Sequence, residues 1–376
     1  MTKKRVLVVH ASSDLYGSDA AALAVARRAR ADGWEVAVTV PFPGPLVAVL
    51  EADGMEVIFL DPLKFRRRDI AWPTVLTTPV RWWREWRRLS GLARRRTFDV
   101  VYTSTAPTTG GALLARKWKA RHVYHVHEIF WYPRPLVAAL ERFLATSDAV
   151  VCCARVVAEQ FHSEELATRT TVAYTGVDVP LDVPERRPFE GVASGRPIEL
   201  ICVARLNEWK GQETLVDAVA VLRSRGCDIR LTLVGDVYRD AVHHRQQLLD
   251  QIAALRMEGF VTLAGERRDA LALVAQADVF VLPSRRPEPF GMALVEAMAL
   301  GRPVIGTAAG GPLEIITPGV DGLLVPPGDV DALAVAVEGL VSDQQAAVEM
   351  AERGRIRACD FDLARMAETV VALFDA

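Results

Sequence analysis

Short, nearly unbroken runs of Val, Ile and Leu alternate with Ala-, Leu- and Arg-rich stretches along all 376 residues. In the first half RVLVVHAS, WEVAVTVP, EVIFLD, DVVYTST, HVYHVH and AVVCCA read as strands. In the second half IELICVAR, IRLTLVGD, VTLAG, DVFVLPS and PVIGT do. A run that is apolar at nearly every position, rather than at every second one, suits a strand covered on both faces, as in parallel sheets. The helical stretches between the runs imply βαβ units. Two such series predict an α/β protein of two Rossmann-like, doubly wound, parallel-sheet domains, and the length fits two cores better than one. No short fixed repeat is visible.

The apolar rhythm lapses over Thr175–Pro197, where Pro180, Pro184, Pro188 and Pro197 stand with Gly191 and Gly195 among mixed charges. This reads as a linker. The expected division is a first domain over 1–180, a linker over 181–197 and a second domain over 198–359. Ligands of such sheets lie beyond the carboxyl ends of the strands, so two facing domains would hold them in the cleft between.

Composition narrows the class. Hydrophobic residues at 51% and charged residues at 24% describe a globular protein. No apolar run reaches the roughly 18 residues of a membrane span, and the apolar start RVLVV stops at His10, short for a signal-peptide core. Cys152, Cys153, Cys202, Cys227 and Cys359 have no metal-ligand or disulfide-framework spacing, which suits a reducing cytoplasm. The overall charge of -2 conceals +7 over residues 1–188 and -9 over the remainder. The basic half faces anionic partners more readily.

Candidate chemistry concentrates in PSRRPEPFGMALVEAMALGR, Pro283–Arg302. Glu288 lies in a Pro- and Gly-rich turn and Glu296 in the helical run that follows. A turn opening a helix offers free N–H groups and the positive end of the helix dipole, suited to phosphate or sugar hydroxyls. Read alone, Glu288 is a turn-capping surface acid and Glu296 an acid in the first helical turn. In VARLNEWKGQETLVDAV, Val203–Val219, Arg205 ends a strand and Lys210 follows in the loop, two cations able to hold a pyrophosphate. LYGSDAAALAVARR opens a helix at Gly17, with Ser18 or Asp19 as caps and acceptor or phosphate contact weighed against a plain turn. GTAAGGPLEII carries Gly310 and Gly311 before a helix start, again ligand approach or a tight turn.

His122, His125 and His127 alternate along one run as if on one strand face. Successive same-face positions lie about 6.6 Å apart, too far for Zn–N bonds of about 2.0 Å to gather all three, so a metal is not expected. RWWREWRRLSGLARRR, Arg81–Arg96, holds seven arginines, with Trp82, Trp86, Leu89 and Ala93 on one helical face; KFRRR, Lys64–Arg68, adds a second basic cluster. The sharper reading is an interfacial helix on an anionic membrane, and the plainer one a core-facing helix with a solvated basic side. Nucleic acid is not expected, because no known binding module accompanies the charge.

The string PEPFGMALVEAMALGRPV, with its E-x7-E spacing, and the R-L…K-G loop closely resemble retaining glycosyltransferase family 4, the glycosyl transferases group 1. TGVDV (Thr175–Val179) and DGLLVPPGD (Asp321–Asp329) extend the likeness from first strand to last helix. The resemblance implies the glycosyltransferase B fold, with a final helix over 360–376 crossing back onto the first, acceptor-side domain. It also implies transfer of a sugar from a nucleoside diphosphate sugar to a glycan, lipid-linked or small-molecule acceptor, with no further cofactor. Arg205 and Lys210 would contact the donor diphosphate, and Glu288 the donor sugar and departing phosphate. Glu296 would hold the ribose hydroxyls, backbone N–H groups around Phe290, Gly291 and Met292 the sugar hydroxyls. His127, a strand-end His, would face the reacting carbon, and the Gly311 loop would lie near the sugar. The leaving phosphate would help deprotonate the acceptor in a same-face reaction. Ala204 for a frequent Gly, Pro289 within the motif, Gly17-Ser18 for a Gly pair and Thr175 for Asn depart from the family pattern. The alternatives are a non-catalytic nucleotide-sugar-binding protein and an epimerase or hydrolase on the same architecture. The expected location is the cytoplasm, with a peripheral place on the inner membrane face if the basic helix binds lipid.

Overall fold

The computed structural model describes residues 3–15, 17–63, 78–130, 134–178, 187–189, 195–237 and 242–376. The basic cluster at Lys64–Arg68 lies outside them, as does most of the expected linker.

The chain forms two compact units, Met1–Gly176 with Leu363–Ala376, and Val177–Asp362. The first holds seven parallel strands: β1 (Arg5–Val9), β2 (Glu35–Val40), β3 (Glu56–Phe59), β4 (Val100–Ser104), β5 (Arg121–Val126), β6 (Ala149–Cys152) and β7 (Thr170–Val172). Their spatial order is β3-β2-β1-β4-β5-β6-β7. Val6, Leu7, Val8 and Val9 are all at most 1% exposed. Val6 and Val8 pack with Val38, Tyr102 and Val370 on one side of the sheet. Leu7 and Val9 pack with Val101, Leu89 and Leu114 on the other. Two covered faces explain why this strand has no polar alternation. The last helix, Leu363–Ala372, joins the first of these clusters through Met366, Ala367 and Val370. Just beyond it, Phe374 meets Trp34 edge to face at 5.7 Å.

The helix Thr78–Arg95 lies on the second cluster through Trp82, Leu89, Leu92 and Ala93. One expected member of its inward stripe is displaced. Trp86 is 48% exposed, whereas Glu85 is buried and pairs with Arg81 at 3.3 Å. A stripe through 82, 85, 89 and 92 satisfies helical spacing equally well and turns Trp86 onto the flank.

The second unit holds six parallel strands: β8 (Ile198–Val203), β9 (Ile229–Val234), β10 (Val261–Gly265), β11 (Val279–Leu282), β12 (Val304–Thr307) and β13 (Leu323–Val325). Their order is β10-β9-β8-β11-β12-β13. In each sheet the connection reverses direction once, between β1 and β4 and between β8 and β11. Loops diverge at such a reversal and leave room for a ligand beyond the carboxyl ends of the strands. β7 and β13 were not anticipated from the sequence. Each is a three-residue edge strand, too short to leave a pattern.

Candidate functional site

The second unit gathers three loops at its reversal point. β8 and β11 are neighbours, and so are β11 and β12, so the segments leaving their carboxyl ends emerge side by side. The first passes through a 3-10 turn, Glu208–Lys210, before the helix Gln212–Ser224. It is tied to the second where the Arg285 amide donates to the Trp209 carbonyl at 2.8 Å and Arg285 Nε to Thr214 Oγ1 at 3.0 Å. A Cβ on Gly211 would stand 2.1 Å from the Pro283 carbonyl oxygen, so only glycine permits this approach. The third loop supports the second from below. The Gly311 amide donates to the Glu288 carbonyl at 2.8 Å. A Cβ on Gly310 would meet that carbonyl oxygen at 2.2 Å, and one on Gly311 the Phe290 carbonyl oxygen at 2.1 Å. Gly310 and Gly311 are therefore both required by backbone packing against the Glu288–Phe290 turn.

These ties bring Lys210 and Glu288 together. Lys210 Nζ donates to Glu288 Oε1 at 2.7 Å, with side-chain exposures of 17% and 5%. The ammonium also lies 4.2 Å from the Trp209 ring centroid, a cation–π contact. Ser284 Oγ donates to the same Glu288 oxygen. Sequence reasoning missed Ser284; a small hydroxyl at the strand's end, four residues before the acid, was the available signal. Arg205 belongs to the same loop as Lys210. Its side chain is exposed, and its carbonyl accepts from Gln212 Nε2 at 3.0 Å.

Gly291 caps the helix Met292–Ala299. Phe290 is buried, its ring 5.5 Å from that of Phe361 and its backbone packed against Gly311. Among the described residues the amides of Gly291, Met292 and Ala293 donate to no backbone acceptor, as a helix start requires. Glu296 sits in the second turn of this helix, not the first. It keeps part of its surface in solvent, yet surrounding protein raises its carboxyl above the ordinary range by desolvation. The site thus offers a cation shared with a carboxylate, three unspent N–H donors and a second carboxyl within one loop-and-helix segment. That set fits an anionic group bonded to a polyol.

His127 and Gly17 belong to the first unit. Gly17 opens the helix Gly17–Ala31. Asp19, in its first turn, is buried, and its Oδ1 lies 2.6 Å from His10 Nε2. His127 stands one residue beyond β5. Burial holds its imidazole down at about 3, with neighbouring His10 adding to the effect and Asp19 opposing it. The three histidines do not share a face. His122 is three residues from His125, so it points oppositely: its Nε2 meets Thr103 Oγ1 at 2.9 Å and its ring packs on Tyr124. His125 and His127 do stack, 3.9 Å between centroids, and His125 Nδ1 pairs with the Tyr102 hydroxyl at 2.8 Å. Among the described residues no group of three or more His, Cys, Asp or Glu is placed to hold a metal ion. Among them, too, no helix is long and apolar enough to cross a membrane.

Residues 17–180 match the family profile Glycosyltransferase Family 4, and residues 184–357 the profile Glycosyl transferases group 1. One curated relative is the GDP-mannose-dependent alpha-(1-6)-phosphatidylinositol monomannoside mannosyltransferase of Mycolicibacterium smegmatis. It is 31% identical over 280 residues, 69% of this chain and 72% of the relative. Another, the lipopolysaccharide core biosynthesis glycosyltransferase LpsE of Rhizobium meliloti, is 31% identical over 216 residues, 56% of this chain and 59% of the relative. The matched stretch thus spans under two thirds of the one relative's length and nearly three quarters of the other's. Among solved structures, HepE of Anabaena in complex with UDP and glucose superposes with a TM-score of 0.81 at 24% identity, covering 99% of both chains. The fold is accordingly the glycosyltransferase B fold, and the chain belongs to glycosyltransferase family 4 of the glycosyl transferases group 1.

Proposed function

We propose that this glycosyltransferase moves a sugar from a nucleoside diphosphate sugar to a hydroxyl acceptor, retaining the anomeric configuration. The observation that carries the reading is the Lys210–Glu288 contact beside three unspent amides at the carboxyl ends of β8 and β11. Negative charge grows on the diphosphate as the glycosidic C–O bond breaks. Lys210 and the exposed Arg205 of the same loop would balance it, preorganised charge that acts most strongly where charge develops. The amides of Gly291 and Met292 would take sugar oxygens, Glu288 a sugar hydroxyl, and Glu296 the ribose hydroxyls. The family resemblance gives His127 contact with the transferred sugar. Two cations match the leaving diphosphate without a divalent ion, so we assign the reaction no metal; turnover is expected to survive EDTA. The relatives act with GDP-mannose in one case and were solved with UDP and glucose in another, so both nucleotides belong in the donor screen.

Lys210→Ala and Arg205→Ala are each expected to lower kcat by about 100-fold or more, the scale of losing one charge-stabilising donor. Near-normal transfer by both variants would remove the assignment.

The helix Thr78–Arg95 supports a peripheral membrane partner. Val80, Trp83 and Trp86 are 62%, 56% and 48% exposed, and the exposed Arg84, Arg87, Arg88, Arg94 and Arg95 surround them. Indole rings at headgroup depth with guanidinium groups on lipid phosphates are the physics of interfacial binding. Such a surface fits a lipid-linked acceptor on an anionic membrane.

A further inference from the structure

Immediately after His127 comes a carboxylate to which the reading above gives no task. Glu128 leaves β5 at the carboxyl edge of the first sheet, next to the strand β4 that borders the reversal point. One of its oxygens, Oε2, is fixed, accepting from the Ala106 amide at 3.2 Å and from the His127 amide at 3.1 Å. The Ala106 amide is itself set by a strained backbone: Thr105 before it has φ +82, a left-handed conformation costly for a β-branched residue. The main chain around Glu128 is clamped too. Gln160 Nε2 donates to the Glu128 carbonyl at 2.9 Å, and Gln160 Oε1 accepts from the Phe130 amide at 2.8 Å. The other oxygen, Oε1, accepts from no other residue among the described ones and keeps some surface of its own, although the Glu128 amide also reaches the carboxyl. The carboxyl is thus held rigidly by one oxygen and presents the second.

We propose that Glu128 Oε1 is an acceptor-binding group that takes a hydrogen bond from a hydroxyl other than the attacking one, so that the acceptor is a polyol. This deepens the glycosyl-transfer reading and rests on it. No proton moves to Glu128 in the reaction. The attacking hydroxyl forms the new C–O bond, its proton goes to the departing diphosphate, and Glu128 fixes the acceptor's orientation through a neighbouring hydroxyl.

The chemistry favours a hydroxyl over a cationic ligand. Burial pushes the Glu128 carboxyl up to about 7, against the pull of its backbone N–H bonds. Near neutrality an ionised fraction remains that accepts from a hydroxyl, which an amide NH2 in the same place cannot do. A cationic ligand would need the full negative charge.

The test measures release of nucleoside diphosphate from UDP-glucose, UDP-N-acetylglucosamine and GDP-mannose. It is run in water alone, then with n-octyl β-D-glucoside, n-octyl α-D-mannoside and myo-inositol as polyol probes. Glu128→Gln keeps an oxygen for the Ala106 and His127 amides. It is expected to raise the KM for the polyol at least tenfold. Donor KM and the slow hydrolysis by water should stay within twofold, which also shows that the site still folds. Should Glu128→Gln fail to fold, Glu128→Asp keeps the charge, withdraws the oxygen by one methylene and must show the same split. An unchanged polyol KM, a raised donor KM, or hydrolysis without transfer to any of the three polyols would overturn the inference and leave donor cleavage standing. No cleavage of any donor by the wild-type chain would overturn both.

Discussion

Gly310 shows how narrowly one residue holds the site. It has φ +74, and a Cβ there would overlap the carbonyl of Glu288. Gly310→Ala is expected to displace the turn carrying Glu288 and weaken donor binding. The strained backbone alone should cost about 1–3 kcal/mol of stability. Calorimetric unfolding and nucleotide titration of the same variant check both effects. The positions of Glu288 in a turn and Glu296 in the helix after it were legible from PEPFGMALVE, and that of Lys210 in the loop after β8 from VARLNEWKG. The meeting of Lys210 with Glu288 was not, because it depends on strand order. Ser284 and the Gln160 clamp were not, because each acts through a partner brought near only by sheet order. The histidine run misled for a simpler reason: the odd interval of three residues from His122 to His125 reverses the face of the strand, so His122 points away from the stacked pair His125 and His127.

At the level of elements, strands with two buried faces announced themselves by continuous Val, Ile and Leu, and β1, β8 and β11 follow that rule closely. Three-residue edge strands left no trace. The helix Thr78–Arg95 is the most instructive element, since its inward stripe and its exposed Trp pair could be exchanged without breaking helical spacing. Leu89 is 1% exposed within the core cluster, and Leu89→Ala is expected to cost about 2–5 kcal/mol. The double variant Trp83→Ala, Trp86→Ala is expected to leave the melting temperature nearly unchanged and to abolish flotation with phosphatidylglycerol vesicles at low salt. Retained flotation would move the membrane surface elsewhere.

For the whole molecule, the buried histidines of the first unit set its response to acid. Burial holds His122 at about 3 and His125 well below its ordinary value, with His127 adding to the effect on His125. Between about pH 3 and the ordinary histidine value near 6.5, the unfolded chain binds protons at these rings that the folded chain does not. Stability therefore rises with pH through that window and is lost as pH falls below about 6.5. Glu128 acts oppositely. Its raised carboxyl lets the folded state bind the extra proton between about pH 4.5 and 7, so its contribution falls as pH rises there. Glu296, raised by desolvation, acts in the same direction as Glu128, so three buried rings stand against two carboxyls, and the rings outweigh them. Denaturant titrations at pH 5.0 and 7.5 are expected to show a lower unfolding midpoint at pH 5.0. An equal or higher midpoint there would contradict the burial of neutral imidazoles.

The central claim is that the Lys210 and Glu288 loops of the second unit hold a nucleoside diphosphate sugar. Isothermal titration of the wild-type chain and of Lys210→Ala with UDP, UDP-glucose and GDP-mannose addresses it directly. The account predicts saturable binding of at least one of these by the wild-type chain, weakened tenfold or more by Lys210→Ala while the variant stays folded. Equal affinity in the two proteins, or no binding of any of the three by the wild-type chain, would contradict it.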